Sequence, residues 1–248
     1  MKEKLLLGLA VLVLLSGSAF ATEQEQIIWT QDSLKTSQTV ITYTDTEELS
    51  NQDQNVLQVL YALDIMQGDG DGRFRSNDRI TRAEMAKILA AVQSLSEMEF
   101  AESGFQDVPQ THWAKNVIAL VSGQGLMIGD EDGHFAPERN LSGAELSKVV
   151  AVLLGYTPMA EATGGYPDGY RNAVKKYVTK DKDLLLPNAD TLVTRLETAR
   201  LIYKALQAPL MEQTTFGSPE NAEYAILDGS LGTDYVNLLN RNFLITCN

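Results

Sequence analysis

The stretch ITRAEMAKIL, residues 80–89, has the pattern of a helix start, and it occurs in three versions along the chain. Thr81 and Glu84 have the spacing of a capping box, in which the threonine hydroxyl accepts a hydrogen bond from the backbone of the glutamate and the glutamate carboxylate accepts one from the backbone of the threonine. Loss of such a cap costs roughly 0.5–2 kcal/mol. The pattern predicts a helix that begins near residue 82, and the same boxes recur as Ser142 with Glu145 and Thr194 with Glu197.

Arg82 follows the cap, although a cation in the first turn opposes the helix dipole by roughly a few tenths of a kcal/mol. A helix start presents free amides and a partial positive charge, so an arginine beside it adds a two-pronged donor for a carboxylate. The alternatives are an arginine that points into solvent or one that pairs with an acidic neighbour such as Asp78. Arg195 has the same position in the third version. Gly143 has it in the second, which predicts a weak or merely structural site there.

Internal similarity extends these three helix starts into repeats. VTRLETARLIYKAL, residues 193–206, aligns without a gap on ITRAEMAKILAAVQ, residues 80–93. Each unit is predicted to be a helix, a glycine-containing loop and a second helix. The first two units align without a gap when Gly72 is placed on Gly133, and the residues of the first unit that are then identical in the second include Met66, Gly68, Asp69, Asp71, Gly72, Phe74, Ala83, Glu84 and Lys87. The leading helices are predicted at about 53–66, 113–125 and 168–178, and the following helices at about 82–95, 143–155 and 195–207.

The loops of the first two units contain Asp-x-Asp-Gly followed by an aromatic residue. Gly72 and Gly133 are predicted to supply a positive φ in tight turns, and Phe74 and Phe135 are predicted to enter the core. An EF-hand calcium loop needs acidic or amide ligands at its first, third and fifth positions and a glutamate at its twelfth. If Gly72 were the sixth position, Gln67 would be the first and Asp78 the twelfth, so the pattern does not favour calcium.

The N-terminal segment predicts a cleaved secretory signal. Lys2 and Lys4 precede an apolar run over residues 5–15, and the small-x-small pattern that ends at Ala21 is typical of a cleavage site. An uncleaved membrane anchor is the alternative, but eleven residues are fewer than the ~20 that span a bilayer. Residues 22–50 are mostly polar and are predicted to form a flexible leader.

Composition restricts the classes of ligand. The chain has 248 residues, 44% of them hydrophobic, and a formal charge of −13. Removal of residues 1–21, which contain two lysines and one glutamate, changes this charge to −14. Nucleic-acid binding needs a basic face, and an acidic chain can capture an anionic ligand only in a local pocket. Cys247 is the only cysteine, so no disulfide within the chain is possible.

Neither catalysis nor metal binding is favoured by the motifs. No motif pairs an acid with a nucleophile as glycoside cleavage requires, and there is no G-x-S-x-G. His112 and His134 are too few for a histidine metal site, so we predict no enzyme activity, no cofactor and no metal. Trp113 is predicted to pack under the adjacent loop, with stacking on a sugar as the sharper alternative.

Three longer motifs carry a resemblance to a known family. They are GDGDGRFRSNDRITRAE, then FQDVPQTHWAKNVIALVSGQGLMIGDEDGHFAPERNLSGAE, then GGYPDGY with VTRLE. This combination resembles the S-layer homology (SLH) family of bacterial surface anchors, over roughly residues 53–207. The resemblance implies an all-α, three-pronged pseudo-trimer whose grooves hold a secondary cell-wall polysaccharide, often pyruvylated.

The resemblance also implies roles for particular residues. Arg82 and Arg195 are expected to bind the ligand, with Thr81 and Thr194 holding the geometry. Truncation of either arginine is expected to weaken binding and to leave folding intact. Structural roles in the repeat are expected for Glu84, Ser142, Glu145, Glu197, Gly72, Phe74, Gly133, Phe135, Asp107 and Trp113.

The sequence therefore predicts a secreted, non-catalytic anchor at the cell wall, in the surface layer. Its expected partners are a polysaccharide linked to peptidoglycan and other surface-layer proteins, with no nucleic acid and no membrane after signal cleavage. The alternatives are a carbohydrate-targeting fragment of a wall-degrading enzyme and a protein–protein scaffold module.

The C-terminal extension resembles the segment that leads into a further surface domain, so the chain is expected to be either a minimal anchor or one that lacks a passenger region. The predicted divisions are a signal (1–21), a leader (22–50), three repeats (51–98, 103–158 and 164–208) and the C-terminal extension (209–248).

Overall fold

The structure, a computed structural model, describes residues 41–94, 104–179, 184–214, 222–230 and 235–242. The predicted signal, most of the predicted leader and Cys247 lie outside these residues. The described part is mostly helical, as the predicted fold class requires. None of the helices found there is long and apolar enough to cross a membrane.

The described residues form eight helices and two short strands. The six helices of the predicted units are confirmed. Helix α7 has its predicted bounds, α1 begins two residues earlier than predicted, and all but α7 end before their predicted last residue. Helices α5 and α8 and the two strands are not among the predicted elements. The elements are α1 (Asn51–Ala62), α2 (Arg82–Val92), α3 (Lys115–Gly123), α4 (Gly143–Leu153), α5 (Thr157–Ala162), α6 (Asp168–Tyr177), α7 (Arg195–Gln207), β1 (Met211–Gln213), β2 (Tyr224–Ile226) and α8 (Leu238–Asn242).

The leading helix of each predicted unit packs on the following helix of another unit. Helix α3 packs on α2, α6 packs on α4, and α1 packs on α7. This last contact joins the beginning of the described chain to the end of the third unit. The helices therefore form a closed arrangement, in which no unit buries its two helices only against each other.

A ring of three backbone hydrogen bonds lies where helices α2, α4 and α7 begin. The amide of Ile80 donates to the carbonyl of Val193 (3.2 Å), Val193 donates to Leu141 (3.0 Å), and Leu141 donates to Ile80 (3.1 Å). All three side chains are fully buried, and burial of each contributes about 1.5–3 kcal/mol. Each unit thus contributes one residue to a shared centre.

The three predicted capping boxes are confirmed. At α2, the Thr81 hydroxyl accepts from the Glu84 amide at 3.2 Å, and the Glu84 carboxylate accepts from the Thr81 amide at 2.8 Å. Ser142 with Glu145 and Thr194 with Glu197 make the same pair of bonds. The three helices therefore begin in the same way around the shared centre.

The predicted loop turns are also confirmed. Gly72 and Gly133 have φ values of 76° and 78°, and Phe74 and Phe135 are each only 1% exposed. The carboxylate of Asp107 accepts hydrogen bonds from the amides of Phe135 (2.8 Å) and Ala136 (2.7 Å), which fixes this loop from one side.

The predicted boundary between leader and first repeat is wrong. Tyr43 is only 3% exposed, and its hydroxyl accepts a hydrogen bond from the Gly68 amide at 3.1 Å. Asp45 accepts from the amides of Phe74 (2.8 Å) and Arg75 (2.7 Å), as Asp107 does in the second unit. Residues 41–50 therefore belong to the packed unit. The sequence itself indicates this earlier start of the repeat, because Tyr-x-Asp at residues 43–45 parallels Phe-x-Asp at residues 105–107.

The described part of the C-terminal extension packs on the helices. Strands β1 and β2 pair antiparallel, with Met211 opposite Ile226. The amide of Met211 donates to the carbonyl of Leu154 at 2.9 Å, and helix α8 buries Leu238 and Leu239 against α7. The described residues of the extension therefore belong to the folded unit.

Candidate ligand-binding grooves

Arg82 extends from the start of α2 into the loop of the second unit. Its Nε donates to the Phe135 carbonyl at 2.7 Å and its Nη2 to the Ile128 carbonyl at 2.8 Å. The guanidinium carbon lies 4.6 Å from the centre of the Phe135 ring, a favourable cation–π distance. The side chain is only 11% exposed, so Arg82 joins two neighbouring units.

Arg195 makes the equivalent contacts from α7 into the loop of the first unit. Its Nε donates to the Phe74 carbonyl and its Nη2 to the Gln67 carbonyl, both at 2.9 Å. Its Nη1 lies 3.4 Å from Glu84 Oε1. Neither arginine points freely into solvent or pairs with Asp78. The unfavourable position in the first turn is offset by hydrogen bonds and by the face of a buried ring.

The first amides of these helices are not free for a ligand. The amide of Arg82 donates to the Arg139 carbonyl and the amide of Ala83 to the Pro137 carbonyl, both at 2.9 Å. The amide of Arg195 donates in the same way to the Asp78 carbonyl at 2.9 Å. The prediction that free helix amides assist a carboxylate is therefore wrong, and donors to a ligand must be side chains, among them the guanidinium beside each groove.

Gly143 has a different role at the same position of α4. Its amide donates to the Thr191 carbonyl at 2.9 Å. A Cβ atom at Gly143 would lie 2.2 Å from the Asn188 carbonyl oxygen and 2.9 Å from the Pro187 oxygen. The loop of the third unit therefore packs directly on the helix start and occupies the space that an arginine would need.

Two grooves are built from equivalent positions. The groove beside α2 has a volume of about 490 Å³, and the groove beside α4 one of about 480 Å³. Arg195 lines the first groove and Arg82 the second. Each groove also contains a capping glutamate, a lysine one turn later and an aromatic residue at the rim: Glu84, Lys87 and Trp113 in the first, and Glu145, Lys148 and Tyr166 in the second.

The rim aromatics are exposed, which corrects the prediction for Trp113. This side chain is 59% exposed instead of packed under a loop, and Tyr166 is 50% exposed. The His112 ring stacks on Trp113 at 5.9 Å between ring centres, and its Nε2 lies 3.1 Å from Glu138 Oε1. Sequence reasoning missed Tyr166, although it stands two residues before its leading helix, as Trp113 does.

The groove that lacks an arginine from a neighbouring helix start lies beside α7. The sequence analysis predicted the weak or merely structural site in the second repeat, because that repeat contains Gly143. Because each arginine reaches into the loop of the next unit, the groove that lacks it belongs to the third. This groove has a volume of about 410 Å³. Within it Arg200, at the position of Lys87 and Lys148, donates to both carboxylate oxygens of Asp53, at 2.6 and 2.8 Å.

Metal binding has no support in the described part of the chain, where no three histidine, cysteine, aspartate or glutamate side chains are grouped in a way that could hold an ion. His134 lies at the rim of the groove beside α4, with its Nδ1 3.7 Å from Asp130 Oδ1.

A closed set of helix–loop–helix units with a groove beside each following helix defines a repeat-built helical module. Residues 42–86 and 104–147 match the family model described as S-layer homology domain. These two segments are S-layer homology domains.

Several relatives share this part of the chain. It is 30% identical over 187 residues to a cell surface protein of Thermoanaerobacter kivui, covering 68% of this chain and 23% of that protein. It is 25% identical over 193 residues to the middle cell wall protein of Brevibacillus brevis, covering 76% and 18%. An amylopullulanase of Thermoanaerobacterium thermosulfurigenes is 32% identical over 105 residues, which are 40% of this chain and 6% of that protein. The chain spans about a fifth of the length of the first two relatives.

The location of the protein follows from the family. The SLH domains and the similarity to surface and wall proteins agree with the predicted secretory signal at residues 1–21. The protein is secreted and lies at the cell wall, on the cell surface.

Proposed function

We propose that this chain is a non-catalytic anchor that binds a peptidoglycan-linked secondary polysaccharide of the cell wall, one whose sugars carry carboxylate groups such as pyruvate ketals. One observation carries the proposal. Two equivalent grooves each combine a largely buried guanidinium with an exposed aromatic ring at the rim. A guanidinium binds a carboxylate through charge-assisted hydrogen bonds, and an aromatic face offers a rigid apolar surface to a sugar ring.

The proposed binding residues are Arg82 and Arg195, with Thr81 and Thr194 holding the starts of their helices. Both arginines direct two nitrogens at loop carbonyls, which leaves Nη1 of each nearest to a ligand. The chain as a whole is acidic, with a formal charge of −13. Attraction of an anionic polymer must therefore be local, and these two guanidiniums belong to the cationic side chains of the grooves that supply it.

The proposed architecture is a pseudo-trimer of three SLH repeats, of which residues 164–208 form the third. The ring of hydrogen bonds through Ile80, Leu141 and Val193 supports it. The third capping box, at Thr194, and the contact of α7 with α1 support it as well. In such a closed set each unit depends on its neighbours for stability.

Attachment of further surface-layer proteins through a passenger region belongs to the same proposal. The similarity to a cellulosome-anchoring protein of Acetivibrio thermocellus, 33% identical over 93 residues, favours a role in attachment.

The second candidate is the carbohydrate-targeting part of a surface enzyme. The similarity to an amylopullulanase and to an exoglucanase named XynX from Acetivibrio thermocellus favours it, each at 32% identity over 40% of this chain. A third candidate is a protein–protein scaffold module.

Co-sedimentation with isolated cell walls separates the three candidates. The anchor sediments with intact walls, releases no soluble sugar, and stays in the supernatant when the secondary polysaccharide has been removed with hydrofluoric acid. Release of soluble sugars would instead identify an enzyme. Sedimentation with stripped walls at the original level would instead identify a scaffold that binds protein or peptidoglycan.

A further inference from the structure

One loop position of opposite charge distinguishes the groove lined by Arg195 from the groove lined by Arg82. Asp78 and Arg139 are equivalent in the alignment of repeats that places Gly72 on Gly133. Their backbone carbonyls have equivalent contacts, because each accepts a hydrogen bond at 2.9 Å from the first amide of the neighbouring helix. The two loops therefore present opposite side-chain charges from the same backbone position.

Arg139 brings a second guanidinium into the groove beside α4. Both of its Nη atoms donate to the carboxylate of Glu145, one of them at 3.0 Å. Nη1 of Arg82 lies 4.0 Å from the same carboxylate, so two cations converge on one anion. Burial, and then the charge of Arg139, lower the pKa of Arg82, which is the effect of a like charge close by.

The groove beside α2 has no such pair. There Arg195 faces the capping glutamate Glu84 alone, at 3.4 Å. The carboxylate of Asp78 lies 3.9 Å from the guanidinium of Arg75, which also donates to Asp69. The two linings have the same net formal charge. The groove beside α2 has four cationic and three acidic side chains, and the groove beside α4 has three cationic and two acidic side chains. What differs is that two guanidiniums converge on the capping glutamate in the groove beside α4, whereas one does so in the groove beside α2.

The wall of the groove beside α4 also holds its lysine in place. The Lys148 Nζ lies 5.4 Å from the centre of the Tyr166 ring and 5.8 Å from that of Tyr170. Both are favourable distances for a cation over an aromatic face. Its counterpart Lys87 is exposed. The groove beside α4 is thus the more preorganised of the two for an anion.

We propose that Arg139 is a specificity-determining residue, which makes the groove beside α4 the site for the carboxylate of an acidic sugar. The groove beside α2, with Asp78 in its place, has a weaker preference for a carboxylate. Arg139 is half-exposed and turns from Glu145 to the ligand. Glu145 is not left unpaired, because it also accepts from the Ser142 amide at 3.0 Å. This inference rests on the proposed function and assigns the charged part of the ligand to one groove.

The test is calorimetric titration of the protein with two forms of one probe. The first is the polysaccharide released from isolated walls, and the second is the same polysaccharide after its carboxyl groups have been reduced to alcohols. We expect the parent protein to prefer the first form. Arg139→Asp, which copies the other groove, should bind it about tenfold more weakly and lose most of the preference. Asp78→Arg should strengthen the preference.

Controls separate folding from recognition and the inference from the function. Arg139→Gln removes the charge without placing a second carboxylate beside Glu145, so it should fold even if Arg139→Asp does not. Thermal melting verifies that each variant is folded. If the parent binds both forms equally, or if Arg139→Gln keeps the parent's preference and affinity, the inference is wrong and the anchor remains. If the parent binds neither form, the proposed function fails and the inference fails with it.

Discussion

The grooves beside α2 and α4 differ from the groove beside α7 in one residue of the helix start. Arg195 and Arg82 line the first two, while Gly143 stands at the third. The backbone geometry is the same at all three, since each first amide donates at 2.9 Å to a carbonyl of the next loop. One position therefore decides whether a guanidinium fills the junction or the loop packs directly on the helix.

The cationic side chain one turn into each following helix also distinguishes the grooves beside α2 and α4 from the groove beside α7. Within the described residues, Lys87 and Lys148 line their grooves without an ion pair to a carboxylate, whereas Arg200 is held by both oxygens of Asp53. That ion pair joins α7 to α1, the two helices that close the described arrangement. We infer that two junctions keep cations for a ligand and that the third uses its cation for cohesion.

The largest effect on stability is expected for Gly143→Arg, which gives the helix start of α4 the arginine found at the starts of α2 and α7. The new side chain would begin 2.2 Å from a backbone oxygen, so the loop of the third unit must move and break its bonds to α4. We expect a loss of about 4 kcal/mol or more in the free energy of unfolding, measured by urea denaturation.

Gly123→Ala is the matched control, because a Cβ there would meet nothing within 4 Å. It should leave stability unchanged or raise it by up to about 1 kcal/mol. A Gly143→Arg protein as stable as the parent would show that the loop does not depend on contact with the helix start.

The next effect concerns the arginines themselves. Arg82→Ala and Arg195→Ala each remove two hydrogen bonds to carbonyls and one cation–π contact. We expect each to cost about 2–4 kcal/mol in stability and also to weaken sedimentation with walls. This replaces the expectation that truncation leaves folding intact.

Arg73→Ala provides the comparison for the arginine variants, because its side chain is 47% exposed and its ion pairs lie at the surface. Its cost should stay below about 1 kcal/mol. Urea denaturation of all three variants would refute a structural role for Arg82 and Arg195 if their losses were no larger than that of Arg73→Ala.

Sequence reasoning succeeded where the cause was local. The capping boxes, the turns at Gly72 and Gly133 and the burial of Phe74 depend on residues a few positions apart, so their spacing is enough to predict them. The partners of Arg82 and Arg195 lie 46 to 128 residues away. No local pattern contains them, because they arise only when neighbouring units pack together.

The same reason explains the errors at the ends of the repeats. Residues 41–50 looked like a leader because their composition is polar, yet Tyr43 and Asp45 match Phe105 and Asp107 in position and in contacts. Their alignment is displaced by one position from the one that places Gly72 on Gly133. A comparison of repeats that allowed this small change of register would have found the match.

A smaller effect is expected at the ion pair that closes the arrangement. Hydrogen bonds from Arg200 lower the pKa of Asp53, although burial acts in the opposite direction. The folded protein therefore binds this proton less readily than the unfolded chain, whose aspartates have a pKa of about 3.9. The stabilisation is present above that pH and is lost as the pH falls through the lower pKa of the folded state.

Asp53→Asn should cost about 1–2 kcal/mol near neutral pH, and less as the pH falls through the lowered pKa of Asp53. Urea denaturation across this range would measure the narrowing difference between parent and variant. Asp71→Asn, at a side chain that is 71% exposed, serves as the control. If the difference in free energy of unfolding between the parent and Asp53→Asn does not change with pH, the ion pair does not supply the stabilisation.

The smallest effect on stability is expected at the groove rims, where binding should change most cleanly. Trp113 and Tyr166 are 59% and 50% exposed, so Trp113→Ala and Tyr166→Ala should change the free energy of unfolding by no more than about 0.5 kcal/mol. If sugar rings stack on these side chains, each variant should bind wall polysaccharide several-fold more weakly, and the double variant more weakly still. Leu185→Ala removes a side chain that is 84% exposed beside α7 and should change neither quantity. Equal binding by the parent and the double variant would exclude stacking at the rims, and the guanidiniums would then have to account for the affinity of both grooves.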